Sequence, residues 1–108
     1  MTTEQLVQDP ELYIAQRQKL TNALSRLWAS LIPDHQPTED NFASWLDSFG
    51  PENAALAIRR TAGKVRTLRR QRTPMDGHDM ERYATGTMKH LGRAAFEAAH
   101  RAKQGRSF

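Results

Sequence analysis

Residues 51–72 read Pro51-Glu52-Asn53-Ala54-Ala55-Leu56-Ala57-Ile58-Arg59-Arg60-Thr61-Ala62-Gly63-Lys64-Val65-Arg66-Thr67-Leu68-Arg69-Arg70-Gln71-Arg72, and this stretch decides the fold. Pro51 and Glu52 suit a first helical turn, where a missing N–H costs nothing and a carboxylate meets the positive end of the helix dipole. Ala54, Ala55, Ile58, Ala62 and Val65 recur three and four residues apart, the period of one helix face. The same helix must therefore carry the basic run that begins at Arg59, with an apolar face towards a core and a cationic face towards water. At 100° per residue Arg59, Arg66 and Arg70 fall within about 40° of one another, with Arg60 and Lys64 on the adjoining flank and Arg69 and Arg72 at the loose end. Thr73-Pro74-Met75-Asp76-Gly77 ends the helix and is the clearest internal boundary.

Working outwards, the apolar spacing stays helical and no stretch alternates long enough for a strand, so the expected fold is all-α: one small domain of about four helices. A first helix is expected from about Pro10 to Leu31, capped by Asp9, ended by Pro33, with Tyr13, Leu20, Leu24, Leu27, Trp28 and Leu31 on one stripe. A short second helix should follow Thr38 as cap, with Glu39 and Asp40 in its first turn, Phe42, Trp45, Leu46 and Phe49 inward, and Gly50 as its stop. A fourth should begin near His78 or Asp79 and carry Met80, Tyr83, Ala84, Thr87, Met88, Leu91, Ala95, Phe96 and Ala99 at positions three, four and seven apart. From about His100 onward the apolar period lapses, and residues 101–108 read as a fraying basic tail. Trp28 and Trp45 read as core; Gly86 and Gly92, unfavourable inside a helix, imply that something approaches closely there.

At 108 residues the chain supports one core, and 38% hydrophobic with 26% charged residues is a globular balance, too interrupted for a membrane span. Cysteine is absent, which excludes disulfides and thiolate metal sites, and the N-terminus has no secretory pattern, so a cytoplasmic location is expected. Residues 1–58 carry eight acidic and three basic side chains; residues 59–108 carry four and thirteen, so a net charge of +4 conceals halves of opposite sign. The run 59–72 alone holds six arginines and one lysine with no anion. Guanidinium groups favour bidentate contacts to phosphate or carboxylate, which points to a ligand.

Three sources of negative charge are open: the acidic half of the same fold, an acidic protein partner, or a phosphate backbone. The reading taken is a nucleic-acid-binding module, DNA ahead of RNA, through Arg59, Arg60, Lys64, Arg66, Arg69, Arg70 and Arg72, extended by Arg82, Lys89 and Arg93 if the last two helices pack antiparallel. Tyr83 either stacks on a base or sugar beside those cations or is an ordinary core aromatic with its hydroxyl at the edge. The alternative is a non-enzymatic adaptor or inhibitor, phage-encoded or accessory, docking the basic helix on an acidic protein; a third is a homo-oligomer joining acidic to basic halves. Catalysis is not expected: His35, His78, His90 and His100 lack the spacing of a helical zinc site, and no phosphate loop or nucleophile motif occurs. Asp76, His78 and Asp79 are the one crowded set, and helix capping accounts for them as readily as a metal does. No cofactor is called for.

Tyr83-Ala84-Thr85-Gly86-Thr87-Met88-Lys89-His90-Leu91, taken with Trp45-Leu46 through Ala57-Ile58, resembles the C-terminal domain of DnaD-type replication proteins over residues 38–93. Where that family carries Tyr-x-x-x-Ile-x-x-x-Trp, this chain keeps Tyr83 and has Thr87 and Leu91 at the other two places. The resemblance implies a helical module that binds DNA in replication initiation and assists helicase loading, with a helicase as a protein partner.

Overall fold

The computed structural model describes residues 10–105, and among them there are four α-helices and no strand: α1 (Pro10–Leu31), α2 (Glu39–Phe49), α3 (Pro51–Arg70) and α4 (Gly77–Gly105). The expected cap Asp9 lies outside the described residues. Thr38 caps α2 as its sequence demands, its Oγ accepting the Asn41 N–H at 3.2 Å. Gly50, at φ 83°, ends α2 in a conformation that other residues rarely adopt, and Pro51 starts α3 immediately.

α3 is the centre of the packing. It lies against α1, α2 and α4, as α2 lies against the other three, whereas the backbones of α1 and α4 do not approach each other. Its buried face is Ala54, Ala57, Ile58, Thr61, Ala62 and Val65, small residues that let the neighbouring helices come close. Thr61 is satisfied within the helix, its hydroxyl donating to the Ala57 carbonyl at 2.8 Å. α1 contributes Thr21, Leu24 and Trp28, α2 contributes Phe42, Trp45 and Leu46, and α4 contributes Met80, Ala84 and Met88. The aromatic centre is Trp28, stacked on Trp45 at 5.8 Å between centroids and edge-on to Phe42 at 6.2 Å. Both tryptophans are core, as their positions imply.

Five residues depart from the expected stripes. Tyr13 is 50% exposed, because the first turns of α1 run past the end of the core while Ile32, just beyond the helix, fills the other end. Tyr83, read either as a stacking residue or as a core aromatic with its hydroxyl at the edge, is 36% exposed and belongs to the surface. Phe96 is 72% exposed and Ala95 and Ala99 are exposed with it: α4 continues beyond the level where α3 begins, and among the described residues no helix lies beside it there. The expected tail is helical as far as Gly105, and 106–108 lie outside the described residues.

Polar contacts fix the way the elements meet. Arg17 in α1 grips Asp47 in α2 with two hydrogen bonds of 2.9 and 2.7 Å, and these hold the Asp47 carboxyl below the ordinary carboxylate range and the guanidinium above its own. A depressed carboxyl supports the fold above its unfolded pKa and loses that support as pH falls, though in so exposed a pair the contribution is small. The α1–α2 connection is tied to α4 by His35, whose Nε2 lies 2.7 Å from a Glu81 carboxylate oxygen; Asn41 donates to the other oxygen of Glu81. Trp28 Nε1 donates to the His35 carbonyl at 2.7 Å.

Gly77 closes this corner. A Cβ on Gly77 would overlap the imidazole of His35, so α4 can start only with glycine while His35 keeps its place on Glu81. Gly77→Ala is expected to lower stability by about 1–3 kcal/mol, the range for overpacking, despite the gain in helix propensity. Chemical denaturation measures this, and Gly77→Ala combined with His35→Ala should recover most of the loss.

Candidate nucleic-acid interface

α3 sets the cationic surface, since one side of the helix is consumed by the core. Arg59, Arg60, Lys64, Arg66 and Arg70 are all exposed. Arg59, Arg66 and Arg70 share one flank, within about 40°, and Arg60 and Lys64 project from the other, next to α4. Arg69 differs. It continues the buried stripe one turn past Val65, and its guanidinium pairs with Asp34 at the α1–α2 connection. Arg72 lies beyond the helix in the α3–α4 turn, with a left-handed φ of 62°. Of the seven cations grouped by sequence, five occupy the outer face of α3, one staples a loop and one forms the turn.

Two acids that could have quenched this surface are engaged elsewhere. Asp47 is held by Arg17, and Glu39 accepts from Gln18 at 2.8 Å, both on the α1–α2 side. Among the described residues Arg59, Arg60, Lys64, Arg66, Arg70 and Arg72 enter no ion pair. Like charges along one helix destabilise it by a few tenths of a kcal/mol per pair, so the fold carries a cost here that an external anion would relieve.

α3 and α4 pack antiparallel: Val65 and Arg69 flank Met80 and Gly77 at one end, and Arg60 flanks Tyr83, Gly86, Thr87 and His90 further along. The second group encloses an open recess of about 360 Å³. Tyr83 thus stands in a recess whose one fixed cation is Arg60, beside Thr87, which the sequence placed on the apolar stripe, and His90, which it weighed only as a zinc ligand. Their signal was present, since residues three, four and seven positions beyond Tyr83 share its side of the helix.

Arg82 and Lys89 do not join the α3 surface directly. They line a second recess, of about 370 Å³, on the α2 side of α4 with Asn41, Trp45, His78, Glu81, Thr85 and Gly86. Trp45 Nε1 donates to Thr85 Oγ at 3.0 Å at its base. Arg93 is exposed further along α4 and lines neither recess. Gly86 borders both.

Among the described residues no close neighbour stands at Gly86 or Gly92: a Cβ at either would meet nothing within 4 Å, and the same holds at Gly63. Each mid-helix glycine costs about 1 kcal/mol relative to alanine, with no packing contact in return. Asp76, considered with His78 and Asp79 for a metal, is a helix cap, its Oδ1 accepting the Asp79 N–H at 2.8 Å. Among the described residues no group of three or more His, Asp or Glu side chains is arranged to hold a metal ion, and no helix is long and apolar enough to cross a membrane. Comparison with protein-family models, with curated proteins and with solved structures finds no match to this chain.

Proposed function

We propose that the protein binds nucleic acid, DNA ahead of RNA, by seating a phosphate backbone on the outer face of α3 and the recess beside Tyr83. One observation carries this reading: Arg59, Arg60, Lys64, Arg66 and Arg70 of α3 stand exposed and without ion pairs among the described residues, Arg69 alone being held by Asp34, while Asp47 and Glu39 are engaged between α1 and α2. Charge so arranged attracts a polyanion over a length of about 30 Å, enough for several phosphates. The likeness of residues 38–93 to DnaD-type C-terminal domains extends the reading to replication initiation, with a helicase as the protein partner.

Fluorescence anisotropy of labelled 20-nucleotide single strands and 20-base-pair duplexes, titrated across salt concentrations, tests it. Neutralising about five phosphates gives a slope of log affinity against log salt near −4.5 on duplex and −3.5 on single strands. A flat salt response, or tight stoichiometric binding to an acidic protein with no oligonucleotide affinity, would remove the proposal.

A further inference from the structure

Gly63 and Gly86 occupy matching places. The surface neighbours of a helical residue lie three and four positions away. For Gly63 these are Arg59, Arg60, Arg66 and Thr67; for Gly86 they are Arg82, Tyr83, Lys89 and His90. Each glycine is therefore a bare patch of helix backbone ringed by three basic side chains and one hydroxyl-bearing residue, and among the described residues nothing lies within 4 Å of where a Cβ would stand at either. The two rings connect, because Arg60 of the first shares a recess with Gly86, Tyr83 and His90 of the second. Gly86 also borders the recess of Arg82 and Lys89, so the missing side chain lowers the wall between two depressions that α4 would otherwise separate.

Building on the nucleic-acid reading, we infer that the phosphate backbone of the bound strand crosses α3 at Gly63 and α4 at Gly86, passing from the outer face of α3 into the recess of Arg82 and Lys89. At these two points the strand meets helix backbone, with cations closing on it from both sides. A side chain there would hold the phosphates away from the rings, where water and salt screen the attraction. The crossing also brings the two cation groups, which lie on opposite sides of α4, onto one ligand. Gly92 is the contrast: its neighbours are Met88, Lys89, Ala95 and Phe96, with a single cation among them, and its surroundings are equally open.

Gly63→Leu, Gly86→Leu and Gly92→Leu, each in the full chain, separate the crossing from the fold. All three should raise the melting temperature by about 4 °C or more, since leucine replaces glycine within an uncrowded helix. Gly63→Leu and Gly86→Leu should each weaken binding of the 20-nucleotide single strand or the 20-base-pair duplex at least tenfold, while Gly92→Leu stays within about twofold of wild type. Wild-type affinity in the first two variants, with binding still lost on reversing Arg59, Arg66 and Arg70, overturns the crossing and leaves the nucleic-acid reading in place. A lowered melting temperature at positions 63 and 86 shows that the glycines serve the fold and overturns the crossing as well. Absence of oligonucleotide binding by the wild-type protein at low salt overturns both.

Discussion

Trp28→Ala should lower the unfolding free energy by about 3–5 kcal/mol, read as a reduced denaturation midpoint at unchanged slope. The indole is fully buried and touches three aromatic rings from two parts of the chain: Phe42 and Trp45 of α2 and His35 of the α1–α2 connection. Its removal would leave a cavity between α1 and α2 and strip the His35 carbonyl of its donor. The residues around it are held by other contacts: Arg17 fixes Asp47 and Thr85 fixes Trp45, so the space cannot collapse cheaply. Domains of this size have about 5–15 kcal/mol in total, and the variant should be partly unfolded at 37 °C. A loss under about 1.5 kcal/mol would mean that Trp28 is not the centre of the core.

Reversing Arg59, Arg66 and Arg70 together to glutamate should reduce oligonucleotide affinity at least a hundredfold at low salt and leave the fold intact. These three project from one flank of α3, are exposed and have no ion pair, so the substitution removes no internal contact. Losing three of about five phosphate contacts takes the duplex salt slope from about −4.5 to about −1.8. Stability should move by no more than about 0.5 kcal/mol per site, as is usual for surface positions, and relief of like-charge repulsion favours the variant. Arg69→Glu supplies the contrast. It breaks the pair with Asp34, so it should cost stability in addition to whatever it does to binding. Unchanged affinity in the triple variant would place the ligand surface elsewhere.

The helices and most of the core were legible in the sequence because apolar period, proline placement and the Thr38 cap all agreed. Tyr13 and Phe96 were misplaced for one reason: periodicity tells which side of a helix is apolar but not how far along its length a neighbour extends. Both residues continue a sound stripe beyond the point where the adjoining helices end. The cationic face of α3 was legible for the same cause as the core, since it is the other side of one period. Its division was not. Whether Arg69 faced water or Asp34 depended on the path of the α1–α2 connection, and whether Arg82 and Lys89 joined Arg60 depended on where α2 lies against α4. The Gly77–His35–Glu81 corner joins residues more than 40 positions apart along the chain, and only tertiary structure reveals it.

Because α1 and α4 pack on α2 and α3 without approaching one another, cooperativity runs through that central pair, each member of which lies against every other helix. Either outer helix can open as a sub-global unit while α3 keeps its remaining neighbours, whereas the amides of α3 become exchangeable only when the whole molecule opens. The proposed binding helix is thus the last part to lose its shape, which lets it present a fixed row of charges even while the periphery breathes.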